Sequence, residues 1–196
     1  MQKLRRTAVK GARMLRERRA VRHRVRVAKS GKIQWIGVTG SCGKSTTVHL
    51  LAEVLSKSGR CLKPTGGNLP VALPFCILRV TPEHKYVVQE IGTEAPGHIR
   101  HNCRMFRPEI GVVMNVGSDH YAQFRSEDAI AEEKADLVRS LPAHGVAILN
   151  ADDHRVAAMA DESKARVVTF GIEKDADYRA REISARWPAT LGFKVE

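Results

Sequence analysis

The run Thr39-Gly40-Ser41-Cys42-Gly43-Lys44-Ser45-Thr46 has the residues of a phosphate cradle. Gly40 and Gly43 let the backbone turn tightly enough for successive N–H groups to face phosphate oxygens. A helix starting just behind them adds the positive end of its dipole to the same anion. Lys44 brings a full charge to the terminal phosphates, and the Ser45 hydroxyl suits a magnesium ion. The common spacing for such a loop is GxxxxGK[ST]. Here Val38 stands at the first glycine position and a glycine appears at Gly40 instead. The expected ligand is ATP with Mg2+, cradled by Gly40, Ser41, Cys42, Gly43, Lys44, Ser45 and Thr46.

A cradle alone leaves the reaction open, because hydrolases, kinases and ligases all use one. Glu90 closes the apolar run YVVQE, and a carboxylate at the C-terminal end of a parallel strand faces the ligand crevice. It is expected to hold magnesium rather than begin a solvated loop. Asn115-Val116-Gly117-Ser118-Asp119-His120 ends another apolar run, which brings Asp119 and His120 to the same sheet edge. Magnesium prefers oxygen ligands, so spacing alone leaves His120 a polar loop residue. Spacing likewise leaves Lys134, within AIAEEKADLV, a solvated helix charge. His98, His101 and Cys103 form a loose group with no fourth metal ligand, which reads as a helix surface.

These residues need a scaffold. Residues 33–39 (IQWIGVT) read as a buried strand and residues 45–58 as a helix with Val48, Leu51, Ala52 and Leu55 on its core face. Further strands are expected at 85–91, 110–116, 146–149 and 167–170. Helices are expected at 96–106 and 126–141, the second opened by Ser126 as a cap. Strands alternating with helices predict an α/β fold, a mostly parallel sheet with helices on both faces.

The net charge of +12 is not spread over this scaffold. Residues 1–32 hold 13 of the 33 Lys and Arg but one of the 21 acids, so residues 33–196 balance at 20 against 20. The chain therefore divides into a basic arm, 1–32, and a neutral α/β domain, 33–196. Residues 2–24 read as a basic helix with Leu4, Ala8, Ala12 and Leu15 in a narrow apolar stripe. Acidic membrane lipid or nucleic acid would be its partner; a solvated tail is the alternative. The four cysteines form no CxxC pair, so reduced thiols are expected. With no apolar run long enough to span a bilayer and no secretory pattern, the expected location is cytoplasmic, with the arm at the inner face of the membrane.

At this point the segments resemble a family. TGSCGKSTT is similar to the TGTNGKTTT loop of the Mur ligases and their polyglutamylating relatives, whose loop carries the same displaced glycine. Gly66-Gly67-Asn68 with Pro74 resembles their GN…P loop. VVQEIGTEAPGHI, RPEIGVVMNVGSDH and SEDAIAEEKADL resemble, in order, segments of the D-alanyl-D-alanine-adding branch, and LNADD (149–153) follows. Together they cover about residues 33–175. The resemblance implies the family's central ATP-binding domain and its chemistry: ATP activates a carboxylate as an acyl phosphate, an amine attacks, and an amide, ADP and phosphate result. It implies that Lys44 and the backbone from Gly40 to Ser45 hold the β- and γ-phosphates. Ser45 or Thr46 with Glu90 would hold one magnesium ion and His120 a second. Asn68 would touch the phosphate or carboxylate region. Lys134 matches a lysine that is often carbamylated, which turns a cation into an anionic oxygen ligand.

The departures are equally definite. Residues 1–32 read as a basic arm rather than the family's sugar-nucleotide-binding domain, and residues 33–196 show no match to its later GxHN motif at the adenine or its amine-bringing C-terminal domain. The expectation is an incomplete ligase, a domain that works with a missing C-terminal part or partner chain. A nucleotide-binding scaffold that no longer catalyses is the second reading. Cys42 replaces the usual Asn of the loop.

Overall fold

The computed structural model describes residues 2–30, 32–62, 72–118, 121–187 and 190–196, with the side chains of 2–8, 30, 121 and 122 outside the description. The chain begins with α1 (Gln2–Ser30), then β1 (Gln34–Thr39), α2 (Lys44–Ser56), β2 (Cys61–Leu62), α3 (Ala72–Leu78) and β3 (Tyr86–Glu90). There follow α4 (His98–Phe106), β4 (Ile110–Val113), α5 (Tyr121–Phe124), α6 (Glu127–Arg139), β5 (Val146–Asn150) and α7 (His154–Ala158). A 3-10 turn (Met159–Glu162) leads to β6 (Arg166–Gly171), β7 (Tyr178–Ser184) and β8 (Gly192–Val195). One sheet runs in the order β2-β3-β1-β4-β5-β6-β7-β8. Neighbours are parallel as far as β7, and β8 is antiparallel to β7.

This order makes the two faces unequal. The connection from β1 leads outward to β2, whereas those into β3, β4, β5 and β6 step back across the sheet. Parallel crossovers are right-handed, so the two directions put their helices on opposite faces. Among the described helices only α2 covers one face: Val48, Leu51 and Leu55 pack on Ile36, Val38, Val88 and Val112. The other face takes α3, α4, α6 and α7, whose Ile77, Phe106, Leu137 and Val156 share a core with Trp35, Val87, Val113 and Leu149. The expected α/β architecture with helices on both faces is the observed one.

α1 corrects the expected end at residue 24 and adds a packed face beyond the expected stripe. Ala12 and Leu15 are exposed, while Leu4 and Ala8 lie outside the described side chains. The buried face is Ala20, Arg24 and Val27. No glycine or proline occurs between Arg24 and Ser30, so α1 continues to that residue. Arg16 lies 4.4 Å from the Phe75 ring centre and His23 Nε2 lies 2.7 Å from Val80 O, so α1 runs parallel to α3. Arg24 stacks 3.9 Å over Trp35, which meets Phe106 edge-on at 5.1 Å. The same guanidinium donates to the carbonyls of Phe106 and Arg107. The second half of the basic segment is thus part of the packed core. Among the described residues no helix is long and apolar enough to cross a membrane.

Candidate functional site

β1 ends at the centre of the sheet, between β3 and β4, where the strand order reverses direction. Ligands of open α/β sheets bind at such a point, outside the C-terminal strand ends. Val38 is fully buried against α2, so the first glycine position of the common loop is a core position here, and the turn starts at Gly40. A β-carbon on Gly40 would come 2.8 Å from Met114 Cβ. Gly43, at φ 79, caps α2 in the left-handed region that favours glycine. Gly40→Ala should therefore push β1 from β4 at the cradle and weaken nucleotide binding by about tenfold or more, in line with strain of ~1–3 kcal/mol. Calorimetric titration with ATP and magnesium checks this.

The loop is held from the β4 side. Asn115 Oδ1 accepts from the N–H groups of Ser41 and Cys42, both at 2.9 Å, and its Nδ2 donates to Cys42 O. Ser41 Oγ and Gly117 exchange hydrogen bonds through the Gly117 N–H and carbonyl. The expected run of phosphate-facing N–H groups is thereby divided. Those of Ser41 and Cys42 serve Asn115, whereas the first-turn N–H groups of α2 have no acceptor within the helix. The LNADD segment supports this brace in turn. Asn150 Nδ2 donates to Met114 O, and Asp153 accepts from Val116 N while capping α7.

Lys44 Nζ folds back on the carbonyls of Gly40 and Ser41, at 2.7 and 3.0 Å, and lies 4.0 Å from Glu90 Oε1. Ser45 Oγ donates to Glu90 Oε2 at 2.8 Å. Register pairs Glu90 with Val38, which brings its carboxylate to the loop. Glu90 Oε1 is buried without a hydrogen-bond partner. A buried carboxylate oxygen left unpaired is costly, and beside a serine hydroxyl it forms a hard oxygen pair of the kind magnesium takes. The residues present fit that ion. Thr46 is exposed at the start of α2.

Lys134 is not the solvated charge that its spacing alone predicts. It is 1 % exposed, among the largest fully buried side chains. Its neighbour Glu133 is also buried and accepts from Thr93 Oγ1, Gly97 N and Ile99 N at 3.1, 2.6 and 2.8 Å. Glu133 thus ties α6 to the loop after Glu90 and to the start of α4. Asn115 and Glu133 went unrecognised in the sequence. Asn115 carried a positional signal, since it sits two residues past the strand beside the loop; a glutamate in a charged helix carried none. Asn68 and His120 lie outside the described residues. Cys103 faces the core, where burial pushes its thiol up to about 12, while His101 turns outward to Glu17. The described residues hold no group of three or more potential metal ligands of the His, Cys, Asp and Glu types.

A family model described as the Mur ligase middle domain matches residues 38–193. The chain belongs to the Mur ligase family. Among curated relatives, the UDP-N-acetylmuramoyl-tripeptide–D-alanyl-D-alanine ligase of Mycobacterium tuberculosis is 38% identical over 156 residues, 79% of this chain and 31% of the relative. MurF from Acinetobacter baumannii superposes with a TM-score of 0.85 at 27% identity, over 93% of this chain and 40% of that one. MurF from Thermotoga maritima, solved in complex with ADP, gives 0.80 at 25% identity, over 90% and 41%. This Mur ligase chain spans about a third of the length of that curated relative.

Proposed function

We propose that this chain is the ATP-binding, carboxylate-activating part of an amide ligase acting on a UDP-N-acetylmuramoyl-tripeptide, with D-alanyl-D-alanine as the amine, in peptidoglycan synthesis. The contact of Ser45 with Glu90, next to the buried Glu90 Oε1 that accepts no hydrogen bond, carries the reading. The relatives' names supply the substrates.

In this reading the first-turn N–H groups of α2 and the Lys44 ammonium take the β- and γ-phosphates. Lys44 gives up its bonds to Gly40 and Ser41 as they arrive. Asn115 holds the Ser41–Cys42 turn in shape, and Asn68 borders the phosphates. Ser45 and Glu90 hold a first magnesium ion and His120 a second, with Thr46 beside Ser45; the metal supplies positive charge against the negative charge that builds in transfer. A carboxylate oxygen of the tripeptide attacks the γ-phosphorus, the bond to the ADP oxygen breaks, and an acyl phosphate forms. The amine nitrogen then attacks the acyl carbon, sheds a proton, and phosphate departs with the C–O electron pair. Buried Lys134, carried on α6 and tied through Glu133 to the loop behind Glu90, faces this chemistry as a cation or as its carbamate. A separate C-terminal part brings the amine. ATP and a nucleotide-sugar substrate place the reaction in the cytoplasm. The exposed Arg18, Arg22, Arg26 and Lys29 of α1 are the surface that would meet acidic lipid or nucleic acid.

Glu90→Gln separates this reading from plain anion binding. In the wild-type chain magnesium should tighten ATP binding by about tenfold or more, and the Gln variant should lose most of that gain, the value of one charge-assisted ligand. Equal affinities with magnesium and with a chelator in the wild type would overturn the metal assignment. Phosphate release in the presence of both substrates and a C-terminal ligase part tests turnover. ATP binding without any turnover supports the scaffold reading.

A further inference from the structure

The sheet edge opposite the P-loop carries a second cation cluster that the ligase reading leaves idle. The segments entering β4 and β5, with the C-terminal ends of α4 and α6, border an open cleft of about 830 Å³. Arg24, Arg100, Arg104, Arg107 and Arg139 line it, against the two carboxylates Glu109 and Asp136.

Three of these arginines are accounted for within the fold. Arg24 is buried and bonded to two carbonyls and to Glu109. Arg100 makes a forked contact with both oxygens of Asp136. Arg139 is shared among Glu132, Asp136 and Glu162. Arg104 and Arg107 are exposed, and neither guanidinium has a hydrogen bond or ion pair among the described residues.

Helix capping does not explain these two. The carbonyls of Phe106 and Arg107 already accept from Arg24, and that of Cys103 accepts from Arg107 N. Arg107 also stands at φ 53, the helix-end position where glycine is the usual residue. Arg104, on the last turn of α4, and Arg107, just past its end, line the same cleft with uncompensated like charges. The Arg107 charge also adds to burial in holding the Arg24 guanidinium below its ordinary pKa. A monoanion would neutralise one of these forks, whereas a phosphoryl group with two or more charges matches both.

We propose that this cleft binds a phosphorylated ligand, with Arg104 and Arg107 as its two guanidinium forks. The phosphate can belong to a free small molecule or to a lipid headgroup, and the test separates these sources. Inorganic pyrophosphate is titrated calorimetrically into the wild-type chain, into the Arg104→Gln/Arg107→Gln chain and into Lys44→Ala. The same proteins are sedimented with phosphatidylcholine vesicles containing phosphatidate. Both arginines are exposed, so the double variant should melt as the wild type does.

The wild type should show two pyrophosphate sites. The double variant should keep the P-loop site and lose the other, weakened by about tenfold or more, while Lys44→Ala keeps the cleft site. Loss confined to the vesicles would identify a headgroup as the source. Unchanged pyrophosphate and vesicle binding in the double variant would overturn the proposal and leave the P-loop reading standing.

Discussion

Replacing Lys44 with alanine should weaken binding of ATP with magnesium roughly 10- to 100-fold while leaving the fold intact. A charge-assisted hydrogen bond contributes about 1.5–3 kcal/mol, and each 1.4 kcal/mol is a factor of ten in affinity. The ammonium is the donor to the Gly40 and Ser41 carbonyls of the loop itself, so its loss strands no donor. Calorimetric titration reads the affinity and thermal melting reads the fold. Undiminished affinity at an unchanged melting temperature would remove Lys44 from the phosphate site. Glu90→Gln differs in kind: there the loss should appear only with magnesium present.

Glu133→Ala should be the most destabilising single change near the site. The substitution strands the N–H groups of Gly97 and Ile99, both now satisfied by one buried carboxylate, while the Thr93 hydroxyl keeps the Ala95 carbonyl. Unsatisfied buried donors cost about 1–3 kcal/mol each. A net loss near ~3–5 kcal/mol corresponds to about 6–20 °C in melting temperature for a chain of this size. Glu133→Gln, which keeps one acceptor oxygen, should recover part of it. A melting temperature within a degree or two of the wild type for the alanine variant would mean that the loop after Glu90 is held by other contacts.

The two variants differ in how far sequence alone anticipated them. Lys44 announces itself, because the cradle is contiguous and every member of it sits within eight residues. The strand at 33–39 and the helix capped by Ser126 were legible for the same reason: apolar period and cap lie in adjacent positions. Glu133 and Asn115 act across 34 to 74 positions of chain, and no local pattern encodes such a distance. Lys134 read by spacing as a solvated charge; its burial depends on what packs over α6, and only the family resemblance singled it out. The error in α1 has the same origin. Periodicity marked Leu4, Ala8, Ala12 and Leu15 as the apolar stripe, but among the described side chains of α1 those that pack on the domain begin near Arg16. β2, β7 and β8 escaped notice for a different reason. The first has two residues, and the others are mostly exposed strands at the far end of the sheet with no buried face to leave a pattern.

The folded-back posture of Lys44 bears on what the cradle rejects. An incoming anion must outcompete two carbonyls already bonded to the ammonium and a carboxylate 4.0 Å away. A chloride or a single carboxylate offers too little charge to win that exchange. A triphosphate that arrives with its own cation compensates both the lysine and Glu90 in one event. In the proposed reading, selectivity against the small anions of the cell would be set by a threshold of displaced charge, before any base or sugar is read.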